Sequence, residues 1–179
     1  MDNLAAFSRD HIKTVDSAVA MSEELVSNAY KMSSSQWLRG KYDVKTLSDL
    51  TPDEIVDGPF AQLIRYEGQR KDSTLGTGAY DFYKICLQDH SILSVLEQYP
   101  EIALMPFTLY VVIHELVHVV RFSMFVQNFE ASEDEMMVEE KRVHRKTHDI
   151  LIGVRVSGME KVLNFFNQWR EPFGELRIY

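Results

Sequence analysis

The stretch "MPFTLYVVIHELVHVVRFSMFV", Met105 to Val126, constrains the fold of this 179-residue chain more than any other. It is apolar nearly all round. A helix of that kind has no face to give to water and must be enclosed by other elements or by lipid. Its length would span a bilayer. Yet His114, Glu115, His118 and Arg121 sit within it, and each is costly in hydrocarbon. The expectation is a buried core helix from about Pro106 to Phe129 rather than a membrane span. Its β-branched run "LYVVI" would also suit a buried strand, but the uninterrupted length favours a helix.

A core helix needs partners. From Leu4 to Met32 apolar residues recur every three to four positions (Phe7, Ile12, Val15, Val19, Leu25 among them), the stripe of one long amphipathic helix. Thr51-Pro52-Asp53-Glu54 has the form of a capping box with proline at the first helical position. It predicts a helix to about Arg70, interrupted at Asp57 to Pro59. "DSTLGTG" reads as a loop. Tyr80 to Gln98 reads as a further helix, Ser132 to Leu151 as one opened by a second capping box, and Met159 to Trp169 as the last. Only "ELRIY" at the end reads as strand. The expected class is all-α: one domain over residues 1–179, a bundle of five to six helices. Helix 1–32 is the element that could be loosely attached.

Composition narrows the function. At 45% apolar and 26% charged the chain is ordinary globular material. A net charge of −8 argues against a nucleic-acid partner, which would demand clustered Lys and Arg. The single cysteine, Cys86 in "FYKICL", excludes an internal disulfide and a cysteine zinc cluster. It reads as a small buried hydrophobe. The first residues carry no signal-peptide pattern, so the expected compartment is the cytoplasm. Substrate and oligomeric state are open, a homo-oligomer included.

Four of the six histidines form two pairs spaced i, i+4: His114 with His118, and His144 with His148. Random placement would give roughly 0.2 such pairs, and residues four apart share a helix face. The first pair lies among valines, where an imidazole needs a partner. On the second helix Met136, Val143, Thr147, Ile150, Leu151 and Val154 form the apolar stripe. Glu140 falls inside it, His144 beside it, Glu139 at the opposite margin and His148 at the near one. A carboxylate in such a stripe calls for a cation. Only a short connection near Ala131 joins the two helices, which makes them antiparallel neighbours. The centres of the motifs, near Val117 and His144, are equidistant from that turn. The expected metal ligands are His114, His118, Glu140 and His144, with His148, Glu139 and Glu67 undecided. Tyr110 and Arg121 lie one turn before His114 and one turn after His118. Packing is expected of Tyr110, and an ion pair with Glu115 or Glu140 of Arg121.

"HELVH", residues 114–118, resembles the His-Glu-x-x-His motif of the zincin metallopeptidases. The resemblance covers this motif and one downstream carboxylate. It implies a zinc-dependent hydrolase in which His114 and His118 bind the metal and Glu115 is the general base. In the branch with a downstream glutamate ligand, Glu140 takes that part. Zincin peptidases usually bind substrate along a sheet edge, which an all-helical chain would lack, and a fourth ligand in His144 would close the site. Glu115-Leu-Val-His118 also resembles, more weakly, the Glu-x-x-His of ferritin-like di-iron bundles. That alternative takes iron and needs carboxylates from Glu67, Asp81 or Asp89. Its second motif, Glu140 to His144, is one residue too long. The remaining alternative is a non-enzymatic interaction domain with a structural metal or none.

Overall fold

The computed structural model describes residues 4–33, 35–37, 41–69, 79–124 and 130–169, with backbone placement alone at 67–69, 79 and 80. In chain order it runs α1 (Arg9–Ala29), β1 (Tyr42–Lys45), β2 (Ala61–Gln69), β3 (Ala79–Leu87), α2 (Asp89–Gln98), α3 (Leu104–Ser123), α4 (Glu133–Leu151) and α5 (Met159–Phe165). Short 3-10 turns cover Leu47–Asp49, Pro52–Glu54 and Asn167–Trp169.

The axis of the fold is α3. From Pro106 to Val120 every residue except Glu115 is buried. Among the described residues it is the one helix long and apolar enough to cross a membrane, and most of it lies inside the protein. The "LYVVI" run is helical. Fully burying a side chain such as Leu116 or Ile113 contributes about 1.5–3 kcal/mol, so enclosure outweighs the weak local preference of β-branched residues for strands. Along α3 lies α1, which buries Val15, Ala18, Ser22 and Val26, the stripe its period demands. The helix starts at a cap the periodicity does not show. Ser8 accepts from the His11 backbone N–H, and the His11 imidazole accepts from the Ser8 N–H.

The chain is an α/β mixture, which corrects the all-α expectation and its bundle of helices. Three strands form one sheet in the order β1-β3-β2. β1 runs parallel to β3, and β2 antiparallel to it, with Leu63 opposite Ile85 and Ala61 opposite Leu87. The region expected as a helix from Thr51 to Arg70 is a turn followed by β2. Its capping box is real, the Glu54 carboxylate accepting from the Thr51 N–H at 2.9 Å. It closes only one 3-10 turn. Gly58, at φ +101°, and Pro59 follow, and a helix does not propagate through that pair. Likewise Tyr80 to Gln98 divides into β3 and α2. In β3, Tyr83, Ile85 and Leu87 join the core. Cys86 is buried as well, and burial pushes its thiol up to about 11, which suits an inert hydrophobe. The "ELRIY" strand lies outside the described residues.

On the other face of the sheet Glu54 is the anchor. Lys84 Nζ lies 2.7 Å from both of its oxygens, and the Tyr66 hydroxyl donates to it at 2.9 Å. The Lys84 ammonium, the Thr51 N–H and the Tyr66 hydroxyl together draw the Glu54 pKa down to about 2 against burial. A carboxyl lowered on folding stabilises above its unfolded value, near 4.5 here, and that contribution disappears as the pH falls toward 2. Glu54→Gln is therefore expected to be less stable than the native chain at pH 6. The gap should narrow as the pH falls from 4.5 to 2, read from denaturant midpoints across that window.

Candidate metal centre

Between Phe107 and Val120 only Val111, His114, Glu115 and His118 are more than 1% exposed. These positions, spaced i, i+3, i+4 and i+7, form one helix face. Within this central stretch of α3, the strip that approaches solvent is thus the one that carries the whole His-Glu-x-x-His motif.

Facing it is α4. Contacts climb one helix as they descend the other: Tyr110 meets His144, His114 meets Glu140, and Arg121 meets Glu139. The two helices are antiparallel. Ser132 caps α4 with Glu135 in a full capping box, and Val143, Thr147 and Leu151 bury its apolar stripe.

At the seam three side chains converge. His114 Nε2 lies 3.1 Å from Glu140 Oε2, and His118 Nε2 lies 2.9 Å from Glu140 Oε1. The two Nε2 atoms are 3.2 Å apart. Among the described residues this is the cluster whose donor atoms could share one metal ion. The two Nε2 atoms face the two oxygens of one carboxylate, an arrangement open to a pair of N–H···O bonds and equally to lone pairs directed at a shared cation. The separations also suit zinc, because tetrahedral bonds of 2.0–2.1 Å give ligand-to-ligand edges of about 3.3 Å.

Glu140 is half exposed along its side chain, so it stands on the rim with its carboxylate turned inward. Burial of that carboxylate works to raise its pKa. His114 and His118, by charge and hydrogen bonding, outweigh burial and hold it well below the usual range. Glu115, next in sequence to His114, is not part of the cluster. Burial raises its pKa, the two histidines oppose the shift, and Glu140 adds to it. Nδ1 of His114 is buried with no hydrogen-bond partner among the described residues. In this it departs from the usual metal-bound histidine, whose second nitrogen donates to an acceptor.

Comparison with protein-family models, curated proteins and solved structures gives no match. The site's chemistry is therefore read from its own atoms.

The other expected residues fall as follows. His144 stands beside the cluster, its Nε2 4.0 Å from Glu140 Oε2. His148 lies a turn further along α4, with Nδ1 3.7 Å from its neighbour Asp149. Glu67 is on β2 and Asp81 is exposed on β3. Asp89 is buried, accepting from the Phe7 N–H at 2.8 Å and the Leu47 N–H at 3.0 Å. It ties the N-terminal segment to the turn after β1. A groove of about 210 Å³ between α1 and β1, lined by Val15, Val19, Glu23 and Tyr42 among others, holds none of the cluster.

Sequence reasoning missed three features. Glu139, placed at the margin of α4, is buried and paired with Arg121 and, at 2.7 Å, with Arg142. Arg121 thus serves neither Glu115 nor Glu140. The 18-residue separation, which mirrors His118 and Glu140 across the turn, is the signal that could have found this pair. Tyr110 does more than pack, because its hydroxyl lies 2.8 Å from His144 Nδ1. Finally, aromatic rings flank the cluster: Phe122 beside His118, and Phe166 and Trp169 beside His144. Tyr83 of β3 stacks on Phe122 and carries the sheet up to the site.

Arg121→Ala would leave the Glu139 carboxylate buried with the half-exposed Arg142 as its remaining cation among the described residues. Breaking a buried pair from one side costs about 3–5 kcal/mol. The loss here should sit near the lower figure, read as a shift in the urea midpoint at unchanged slope.

Proposed function

We propose that this chain is a mononuclear zinc-dependent hydrolase with a zincin-type site, acting on a peptide bond. The observation that carries the reading is the convergence of His114 Nε2, His118 Nε2 and both Glu140 oxygens within 2.9–3.2 Å, at the strip of central α3 that approaches solvent. Three protein ligands and an open position are the arrangement of catalytic zinc. A zinc ion bound there supplies Lewis acidity and acidifies water. Glu115 lies on the same strip. It accepts the proton of the attacking water and returns it to the leaving amine. The sheet removes one objection to the resemblance, since β1 and β2 are its outer strands.

The iron alternative finds less support. It needs carboxylates from further helices, whereas Glu67 and Asp81 are on strands and Asp89 is engaged with backbone N–H groups.

The test is metal content of the purified chain by mass spectrometry, beside a His114→Ala/His118→Ala variant. About one zinc per chain, lost in the variant, is expected. About two irons per chain, or no metal after zinc loading, would overturn the proposal.

A further inference from the structure

We propose that Glu139 is a positioning residue for the metal centre: it takes up the Arg121 guanidinium, which would otherwise pair with Glu140 and compete with the metal for that carboxylate. The inference rests on the zinc-site reading above.

Glu139 and Glu140 are neighbours on α4, and the groups they meet lie one turn apart on α3. His118 Nε2 is 2.9 Å from Glu140 Oε1, and Arg121, three residues on, is paired with Glu139. Residues three apart share a helix face. The guanidinium therefore stands one turn from an imidazole of the cluster, and spacing alone leaves it either glutamate. The fold gives it Glu139, whose side chain is 9% exposed against 51% for Glu140. Attraction between charges is strongest where water is excluded, so the deeper carboxylate is the stronger partner.

Arg121 is not at liberty to leave. Its side chain is largely buried, whereas that of Arg142, the second cation on Glu139, is more than half exposed. Arg121 also donates to the hydroxyl of Tyr30, the residue that closes α1. The Tyr30 ring lies under Lys146 of α4, whose Nζ is 5.0 Å from its centroid. Without the Glu139 carboxylate, Arg142 turns to water. Arg121 stays, held beneath α1, and the next carboxylate along α4 is Glu140.

A guanidinium on Glu140 works against the ion twice. It occupies carboxylate lone pairs that the metal needs, and it sets a positive charge beside a dication. The imidazoles of His114 and His118 bind a metal as neutral ligands and offset neither effect. Glu139 is not one of the ligands. Its part is to give the neighbouring cation a negative partner of its own.

Zinc affinity, by competition with a chromophoric chelator, and stability of the zinc-free chain, by urea midpoint, test this on three variants. Glu139→Met, close to glutamate in volume, should bind zinc about 10- to 100-fold more weakly, the scale on which outer partners act at metal sites. Arg121→Met strands a buried carboxylate and should lose stability. It should nonetheless bind zinc within about threefold of the native chain. Glu139→Met/Arg121→Met replaces the whole pair with apolar side chains, a change that buried ion pairs often tolerate. It should return zinc affinity to within about threefold of native. A merely structural ion pair would make zinc affinity follow stability across all three. Unchanged zinc binding in Glu139→Met, or a double variant that binds zinc more than about tenfold more weakly than native, overturns the proposal. Either result leaves the native zinc site standing. Should Glu139→Met not fold alone, the double variant still decides by the same limits. A native chain that takes up no zinc brings down both readings together.

Discussion

A Glu115→Gln chain is expected to bind zinc as the native chain does while hydrolysing peptide about 10²- to 10⁴-fold more slowly, the contribution of a positioned general base. The amide matches the carboxylate in shape but cannot accept the proton of water. Glu115 stands outside the ligand cluster, so its replacement removes no donor. Burial already disfavours its charged form, so a neutral side chain should not weaken the fold. Zinc content by mass spectrometry, together with turnover of a mixed fluorogenic peptide pool, reads both halves. Lost zinc would show that Glu115 is a ligand. An undiminished rate with zinc in place would end its role as base.

Zinc removal should be the second large effect, and it concerns stability. A metal bound to the folded chain alone stabilises it by RT ln(1 + [L]/Kd), about 4 kcal/mol at a free concentration 1,000 times Kd. For a domain of this size each kcal/mol moves Tm by about 2–4 °C. Chelation should therefore lower Tm by roughly 8–16 °C. The His114→Ala/His118→Ala variant should melt at one temperature with or without zinc. A native chain equally indifferent to chelator would show that the cluster holds no ion worth the name of a site.

The parts of the fold that were legible in the sequence are those whose burial is one-sided or total over a long run. α1 and α4 show a 3.6-residue stripe because one face of each is covered. α3 shows no stripe because everything covers it, and its length alone identifies it. The sheet was not legible. β3 is covered on one face by the core and on the other, at Lys84, by Glu54, which also holds Tyr66 of the half-buried β2. Strands covered on both faces lose the alternation that announces them. Tyr83, Ile85 and Leu87 did alternate with Phe82, Lys84 and Cys86, but Phe82 and Cys86 blurred the contrast. The Thr51–Glu54 box then lent a helical signature to a single turn. At the site, spacing brought His114, His118, Glu140 and His144 to one seam. It could not set the rotation of α4 finely enough to show which of two adjacent glutamates turns inward. The buried pair of Glu139 with Arg121 settles that, and pairings across 18 residues leave no periodic trace.

If the α3–α4 cluster holds a metal as proposed, the close enclosure of α3 bears on which ions it would accept. His114 and His118 hang from a backbone gripped on every side but their own, so the gap between their nitrogens is set in advance and has little give. Glu140 belongs to a helix whose outer half is in water, and its carboxylate offers one oxygen or two. Discrimination by ionic radius and coordination number should therefore reside in α4. A substitution that loosens that helix would broaden the range of metals admitted, whereas one that loosens α3 would abolish uptake altogether.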